Sequence, residues 1–410
     1  MTRHRRAATI ATVAIRPSER AEILARAATL LAHDGNLPFD PVVPPIYQTS
    51  LFTFRSYAEM ADAFGGVVRR PMYSRGDNPT VMEFEQRIAA LEGAEASRAF
   101  SSGMAAISAA VLGFVDSGQR IVAVRHCYGD AFRLFERLLP ALGIQVDYVD
   151  GSDVDAVAAA LPGARMLYLE SPTSMVFELQ ALPRLAELAR AHGAISVIDN
   201  SWATPLFQQP IAHGIDLVLH SASKYIGGHS DVVAGVLSGS AAHIAQVNTR
   251  SYPVLGAKLS PFEAWLLLRG LRTLPMRLQR HERSGLAIAE RLRDHPLVTR
   301  VHHPAFSNSP GRATLHGTTG LFSFEADEAV DVPAFIDALR LFRIGVSWGG
   351  HESLVVPAMA TLRQTPGVNS LSRFGVTERL IRLNVGLEDA DDLWADLAHA
   401  FDAATQRGTT

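Results

Sequence analysis

The chain has 410 residues, of which 48% are hydrophobic and 19% are charged, the proportions of a folded protein with a sizeable core rather than of a disordered one. Its 38 basic and 41 acidic residues give a formal net charge of −3, which excludes a protein that depends on releasing counterions from nucleic acid. A single cysteine, Cys127, excludes an intrachain disulfide and a thiolate metal cluster, so we expect a reducing, cytoplasmic location.

The first segment of the chain combines a basic start with an apolar run. Arginines within the first six residues precede residues 7–15, a pattern similar to a weak signal or transit peptide. The run ends at Arg16 and Pro17 without a convincing cleavage site, so we favour an arm that contacts a partner over an exported leader. Prolines from position 38 to position 45 predict extended backbone as far as about Tyr73.

Apolar runs alternate with helical patterns through the first two thirds of the chain. Four continuous apolar runs predict strands buried on both faces, at residues 119–124, 165–169, 194–198 and 215–219. Helical patterns lie between them at residues 132–142 and 182–192. This order predicts parallel strands joined by right-handed crossovers. An uncharged stretch at residues 99–115 is too short and too polar to span a bilayer, and we expect no membrane contact.

The last third of the chain has a different pattern. Residues 320–325 and 380–385 alternate between apolar and polar side chains, with a helical pattern at residues 332–341 between them. Such alternation predicts a small sheet covered by helices on one side. The change falls near residues 270–275, inside a predicted long helix that Pro275 would kink.

Polar groups at predicted strand ends are the first candidates for chemistry, because open parallel sheets bind ligands there. Lys224 directly follows a buried strand, where partial desolvation suits an amine to form a Schiff base. Asp199 ends the preceding strand, and a protonated pyridine nitrogen would partner its carboxylate. Taken singly, a surface lysine and a turn aspartate are the simpler interpretations. Common nucleotide and metal motifs such as GxxxxGK[ST] and HExxH do not occur, so we expect no metal.

Three further groups extend this set. Residues 101–106 form a small-residue turn into a helix, whose free N–H groups suit a phosphate, although a plain helix cap is an equal alternative. Tyr128 follows a strand and could stack on an aromatic cofactor or be an ordinary half-buried ring. Arg382 lies within an apolar strand, where either a substrate carboxylate or a structural salt bridge would satisfy it. Together the groups meet the requirements of a pyridoxal phosphate enzyme that acts on an amino acid.

Motifs spread from about residue 44 to residue 388 resemble the cystathionine β-lyase and γ-synthase family, the Cys/Met-metabolism enzymes that depend on pyridoxal 5'-phosphate. In chain order they occur at residues 73–80, 102–104, 199–200, 221–231 and 269–275. The resemblance implies the PLP-dependent transferase fold type I, an α/β fold with a mostly parallel seven-stranded sheet, helices on both faces and a smaller C-terminal α+β domain. It implies three parts: an extended arm at residues 1–76 contacting the neighbouring subunit, a large cofactor domain at 77–270 and a small domain at 271–410.

The resemblance also implies a role for each candidate residue. Lys224 would hold the cofactor and act as the general base, Asp199 would pair with its pyridine nitrogen, and Tyr128 would stack on its ring. The remaining implied cofactor contacts are Ser102, Gly103, Met104, Ser221 and Ser223, with Tyr73 and Arg75 reaching the phosphate of a neighbouring subunit. The implied substrate contacts are Ser347, Trp348 and Arg382. A shared site implies an obligate homodimer, usually paired into a tetramer, whose other partner is a small amino-acid substrate.

Features of two branches of that family occur together. Those that resemble bacterial β-lyases are Ser174 in place of an asparagine, Trp202, and Ser-Trp-Gly-Gly at residues 347–350. Residues 73–75 and 78–80 look more like the γ-branch. Asp130 stands where a small residue is usual, and His351 stands where an aromatic residue is common.

On balance the sequence predicts a carbon–sulfur β-lyase. Its substrate would be cystathionine or a related cysteine S-conjugate, and its products a thiol such as homocysteine, pyruvate and ammonia. The alternative within the family is γ-chemistry, either a γ-lyase or a γ-replacement transferase of the cystathionine γ-synthase or O-acylhomoserine sulfhydrylase type. A noncatalytic assembly protein with the same fold is disfavoured because Lys224, Asp199 and Arg382 are all present.

Overall fold

Two β-sheets organise the chain in a computed structural model, which describes residues 17–32 and 41–405. The basic and apolar start at residues 1–16, together with the proline at position 38, lies outside the described residues. The large sheet has seven strands and the small sheet has five. Within the described ranges, no helix combines the length and the apolar character needed to cross a membrane.

The seven-stranded sheet has the spatial order β1-β7-β6-β5-β4-β2-β3. Its strands are β1 Ala96–Phe100, β2 Arg120–Val124, β3 Gln145–Val149, β4 Met166–Glu170, β5 Ile195–Asp199, β6 Leu217–Ser221 and β7 Gly235–Gly239. Strand β7 runs antiparallel to both of its neighbours, and the other pairings are parallel. The predicted mostly parallel seven-stranded sheet is therefore confirmed.

The five-stranded sheet has the order β10-β11-β12-β9-β8. Its strands are β8 Val298–His302, β9 Leu321–Ala326, β10 Arg343–Ile344, β11 Leu354–Pro357 and β12 Leu380–Asn384. Apolar residues of β9 and β12 pack in one core with three helices, as their alternating pattern predicts. The smaller C-terminal sheet covered by helices is therefore confirmed.

Helices cover both faces of the large sheet and one face of the small sheet. They are α1 Pro17–Ala32, α2 Tyr57–Phe64, α3 Pro79–Glu92, α4 Gly103–Phe114, α5 Gly129–Arg133, α6 Leu139–Ala141, α7 Val154–Ala160, α8 Leu182–Ala191, α9 Thr204–Phe207, α10 Ala241–Arg250, α11 Tyr252–Leu255, α12 Pro261–Arg293, α13 Val332–Ala338, α14 Ala358–Thr361, α15 Ser370–Arg373 and α16 Ala390–Thr405. A π-helical turn, Leu134–Leu138, joins α5 to α6. Helix α12 continues through Pro275. The domain limits at residues 76 and 270 stay predictions.

The N-terminal segment corrects one expectation, because it is not extended throughout. Helix α1 buries Leu24, Ala27 and Leu31 in the core, a spacing of three and four residues that suits a helix. Helix α2 begins at the cap residue Ser56, whose hydroxyl accepts a hydrogen bond from the Glu59 N–H. The prolines that suggested extended backbone are confined to a short stretch between these helices.

Strand register brings the carboxyl ends of three central strands to one edge of the sheet. Glu170 of β4 lies opposite Asp199 of β5, and Asp199 lies opposite Leu219 of β6. Lys224 follows the end of β6 by three residues. The sheet therefore delivers two carboxyl groups and one amine to the edge at which parallel sheets bind ligands.

Candidate active site

A cavity of about 700 Å³ opens at this edge, between the large sheet and loops of the small sheet. The predicted site residues that line it are Ser102, Gly103, Met104, Tyr128, Asp199, Ser221, Ser223, Lys224, Ser347, Trp348 and Arg382. They come from strand ends, from the start of α4, from the loop before β11 and from β12. Folding thus collects residues that are up to 280 positions apart in the sequence.

Tyr73 and Arg75 are the predicted residues that the chain does not bring to this cavity. The Tyr73 side chain is exposed, and an Arg75 Nη1 group donates a hydrogen bond to the Pro253 carbonyl at 3.1 Å. Arg75 lines a separate cavity of about 260 Å³ beside Arg98. Their predicted contact with the phosphate of a neighbouring subunit stays a prediction.

Lys224 is the amine of the cavity. Its Nζ donates a hydrogen bond to the Ser347 Oγ at 2.5 Å and lies 5.4 Å from the ring centre of Trp348. Burial lowers the pKa of Lys224 to about 8; the nearby Arg382 charge lowers it too, and Asp199 opposes both. A substantial fraction of this amine is therefore neutral near physiological pH, which an ordinary lysine is not.

The loop that carries Ser347 needs unusual backbone geometry to reach Lys224. Ser347 has a φ of +81°. This left-handed conformation is destabilising for any residue that has a Cβ atom. Its carbonyl accepts a hydrogen bond from an Arg382 Nη2 group at 3.1 Å. At Gly349 an added Cβ would lie 2.8 Å from the Tyr225 nitrogen, so only glycine lets the loop lie against the backbone after Lys224.

Asp199 provides the carboxyl group at the end of β5. One of its oxygens, Oδ1, accepts hydrogen bonds from the Ser201 N–H at 3.0 Å and from the Ser201 hydroxyl at 2.5 Å. Burial raises the pKa of Asp199 above its ordinary value, while the Ser201 bonds and the positive charges of His220 and Lys224 oppose this rise. Asp199 is thus a carboxyl group whose ionisation depends on its neighbours.

The start of helix α4 forms an anion cup. Ser102 caps the helix by accepting a hydrogen bond from the Ala105 N–H at 3.1 Å, and the N–H groups at the first helical positions have no partner within the helix. An added Cβ at Gly103 would lie 2.9 Å from the Ser221 Cβ, so glycine is required beside β6. The Ser223 hydroxyl donates to the Ala234 carbonyl at 3.2 Å and accepts from the Ala234 N–H at 2.9 Å. The helix dipole and the N–H groups together favour a phosphate.

Tyr128 is fixed at both its backbone and its hydroxyl. Its N–H donates to the Glu170 Oε2 at 2.7 Å, and its hydroxyl donates to the Asp130 Oδ2 at 2.8 Å. Arg133 donates from Nε to the other Asp130 oxygen at 2.8 Å. Burial and the Asp130 carboxylate raise the pKa of Tyr128 far above its ordinary value. The phenol therefore keeps its proton and acts as a hydrogen-bond donor.

Sequence reasoning missed three charged residues that line the same cavity, namely Glu170, Arg133 and Glu352. Glu170 ends β4 as Asp199 ends β5, so the rule that selected Asp199 could have found it. Burial and the adjacent Asp199 raise the pKa of Glu170 well above its ordinary value. Glu352 accepts a hydrogen bond from the Ser230 hydroxyl at 2.6 Å across 122 residues, a contact that no local pattern indicates.

Comparison with known proteins agrees with this geometry. Residues 28–402 match the family model described as Cys/Met metabolism PLP-dependent enzyme. The chain is 36% identical over 387 residues to an L-methionine gamma-lyase of Pseudomonas putida, covering 92% of this chain and 97% of that protein. It is 37% identical over 364 residues to a cystathionine beta-lyase of Lactococcus lactis subsp. cremoris, covering 87% and 93%.

A solved structure extends the likeness to the fold. The crystal structure of cystathionine gamma-lyase from Lactobacillus plantarum, complexed with L-serine, aligns with a TM-score of 0.86 and 33% sequence identity. The alignment covers 92% of this chain and 99% of that chain. Both the family and the fold type that the sequence motifs predict are therefore confirmed.

Proposed function

The chain belongs to the Cys/Met metabolism PLP-dependent enzyme family, and we propose that within it the protein is a carbon–sulfur β-lyase. Its cofactor is pyridoxal 5'-phosphate. The proposed substrate is cystathionine or a related cysteine S-conjugate. The proposed products are a thiol, which is homocysteine in the case of cystathionine, together with pyruvate and ammonia.

The residues of the cavity fit this cofactor. The close approach of Gly103 to Ser221 leaves a cup with free N–H groups for a phosphate. The Gly103 and Met104 amides and Ser221 would hold the phosphate, Asp199 the ring nitrogen, Tyr128 a ring face and Lys224 the aldehyde carbon. When bound, the cofactor supplies an aldehyde that takes up an amine and a ring that accepts the electron pair left at the α-carbon.

The observation that carries the proposal is the contrast in protonation between Lys224 and Tyr128. With a pKa of about 8, the Lys224 amine can take the α-proton of the substrate near neutral pH. The Tyr128 hydroxyl donates a hydrogen bond to the Asp130 carboxylate, and the raised pKa of Tyr128 keeps the phenol protonated. Elimination at the β-carbon needs proton removal from the α-carbon alone, whereas γ-chemistry also needs proton removal from the β-carbon. The Lys224 amine thus supplies the one proton removal from carbon that β-elimination needs, and this supports the β-lyase as the simpler reaction.

Arg382 and two tryptophans suit the rest of the substrate. Burial lowers the pKa of Arg382 to about 10, which still leaves the guanidinium charged at neutral pH. One Arg382 donor is used by the Ser347 carbonyl, and the others would bind the α-carboxylate. Trp202 and Trp348 line the cavity and offer apolar surface to a thioether chain.

Product analysis tests this proposal against γ-chemistry, which the gamma-lyase relatives favour. The loaded protein is incubated with L-cystathionine, and pyruvate and 2-oxobutyrate are measured separately. We expect pyruvate and homocysteine, and we expect Lys224→Ala to form neither. Predominant 2-oxobutyrate would instead assign a γ-lyase, and cystathionine formed from an O-acylhomoserine and cysteine would assign a γ-replacement transferase.

We also propose a cytoplasmic homo-oligomer, a dimer with shared sites that pairs into a tetramer. Large apolar side chains of the N-terminal segment are exposed in the single chain, among them Val42 at 88% and Tyr57 at 87%. Tyr73 and Arg75 lie in the same segment, away from the chain's own cavity. A second subunit would cover the apolar surface and receive these two side chains.

A further inference from the structure

A buried arginine, Arg98, is bonded to the turn that carries Tyr73 and Arg75. It lies in β1, and 5% of its surface is exposed. Its Nη1 group donates hydrogen bonds to the Gly76 carbonyl at 2.9 Å and to the Asp77 Oδ1 at 3.1 Å. The turn is closed by bonds from the Gly76 and Asp77 N–H groups to the Tyr73 carbonyl. Arg98 therefore holds the end of a turn that contains both residues predicted to reach a neighbouring subunit.

Arg98 also fixes the elements against which the Arg75 side chain lies. Its Nε group donates a hydrogen bond at 2.7 Å to the Asn248 Oδ1, in α10. Its guanidinium carbon lies 4.7 Å from the ring centre of Tyr252, the first residue of α11, in a cation–π contact. The next residue, Pro253, supplies the carbonyl that accepts the Arg75 hydrogen bond. Arg98 thus connects the backbone of the turn to the support of the Arg75 guanidinium.

The glutamate beside Arg98 has a role of its own in the sheet. Glu85, in α3, has its Oε1 3.5 Å from the Arg98 Nη1. The same oxygen accepts a hydrogen bond at 2.8 Å from the Ala99 N–H, in the edge strand β1. An uncharged residue at position 98 would leave that bond unchanged, whereas a buried arginine loses its hydration. The hydrogen bonds that Arg98 forms in return go to the turn and to its support.

We propose that Arg98 is a positioning residue for the cavity of the neighbouring subunit. It holds the turn at residues 73–77 in the conformation in which Arg75 meets the phosphate of the cofactor bound to that subunit. A change at Arg98 therefore damages the neighbouring cavity and leaves the chain's own Lys224 in place. This inference rests on the proposed shared site and does not depend on whether the reaction is β- or γ-chemistry.

Cofactor binding gives the first test. Arg98→Met removes the guanidinium and keeps much of the side-chain length. The dissociation constant of pyridoxal 5'-phosphate from the apoprotein is measured for Arg98→Met, for Arg75→Ala and for the double variant. We expect Arg98→Met to weaken binding about tenfold, close to the loss of one hydrogen bond to a charged group. The double variant should bind no more weakly than Arg75→Ala, because the two residues act as a unit.

Mixed oligomers separate an effect on the neighbouring subunit from a local one. A local effect is the alternative, because β1 leads to Ser102 in the anion cup. Wild-type chains are paired with Lys224→Ala chains or with Lys224→Ala/Arg98→Met chains, and each mixture is purified through two different affinity tags. Only the wild-type chains carry Lys224, so borohydride labelling of the Lys224 peptide counts the same sites in both mixtures.

The cofactor concentration that gives half-maximal labelling is the readout. If Arg98 acts on the neighbouring subunit, the mixture that contains Arg98→Met should need about ten times more cofactor. A local effect would leave the two mixtures equal, because the altered chain has no Lys224 to label.

Arg379→Met is the matched control. Arg379 directly precedes β12 and donates from Nε to the Ala326 carbonyl at 2.8 Å and from Nη2 to the Val330 carbonyl at 2.7 Å. It thus also connects segments through backbone carbonyls, and in the same mixtures it should leave the labelling curve unchanged. If Arg98→Met does not fold, Asp77→Ala removes the same ion pair from the side of the turn, where the Asp77 side chain is 25% exposed.

Three results would overturn the inference. The first is equal half-labelling concentrations in the two mixtures. The second is a loss of binding that adds to that of Arg75→Ala in the double variant. The third is the same shift with Arg379→Met, which would assign the effect to general loss of stability. A Lys224→Ala/Arg75→Ala chain that leaves the labelling of its wild-type partner unchanged would instead contradict the proposed shared site itself.

Discussion

Replacing Gly349 with alanine tests how the loop at residues 346–350 supports Lys224. Gly349 has a φ of +84°, and an added Cβ would lie 2.8 Å from the Tyr225 nitrogen and 3.0 Å from the Lys224 carbonyl carbon. The left-handed backbone strains an alanine by about 1–2 kcal/mol. The overlap with backbone atoms adds about 1–3 kcal/mol, because neither side can move freely. We therefore expect Gly349→Ala to lose about 2–5 kcal/mol of unfolding free energy.

Gly118→Ala is the matched control. Gly118 has a φ of +83° and no atom within 4 Å of an added Cβ, and it precedes β2 at the edge of the sheet opposite the cavity. The control thus carries the same backbone strain, about 1–2 kcal/mol, without the overlap and without contact to Lys224. The difference between the two losses of unfolding free energy measures the cost of the overlap between the loop and the backbone around Lys224.

The activity of the two variants should differ as well. Moving the loop displaces the Ser347 hydroxyl from Lys224, and misplacement of a reacting group by about 1 Å costs on the order of a hundredfold in rate. We expect Gly349→Ala to lower kcat for pyruvate release by about 10- to 100-fold and Gly118→Ala to leave it unchanged. Both are assayed as loaded protein, with chemical denaturation for stability. Equal stability losses and equal rates in the two variants would refute the reasoning.

Three further predictions concern the residues of the cavity. Because Lys224 must be neutral to take a proton and its pKa is about 8, kcat should rise with pH through that value, and a flat profile on both sides of it would contradict the assignment. Arg382→Leu should raise KM about 10- to 100-fold, since a hydrogen bond to a charged group contributes about 1.5–3 kcal/mol; an unchanged KM would exclude it as the carboxylate clamp. Mixed oligomers of Arg75→Ala and Lys224→Ala chains should regain part of the activity that each lacks alone, and their continued inactivity would count against a shared site.

Local sequence patterns predicted the large sheet where its strands are apolar throughout. Strands β2, β4, β5 and β6 lie within about two residues of the predicted runs. Strand β7 was missed because Gly235 and Gly239 stand at its ends and Ser238 interrupts its apolar pattern. Edge strand β3 was missed because it is partly exposed and carries Gln145 and Asp147.

The site was predictable to the extent that its residues follow strands or match family motifs. Lys224 and Asp199 could be selected because a polar group directly after a buried strand is unusual. Asp130 was noticed as a departure from the family, but its bond to the Tyr128 hydroxyl and to Arg133 depends on how α5 begins. The hydrogen bond from Arg98 to Asn248 joins residues 150 positions apart, and no local pattern could indicate it.

The covalent attachment of the cofactor at Lys224 is the central claim, and one measurement tests it directly. The chain contains two lysines, Lys224 and Lys258, so borohydride reduction of the loaded protein followed by peptide mass analysis has two possible lysine targets. We predict the mass of the reduced cofactor on the peptide that contains Lys224 and none on the peptide that contains Lys258. A cofactor found on Lys258, or released intact after reduction, would contradict the account.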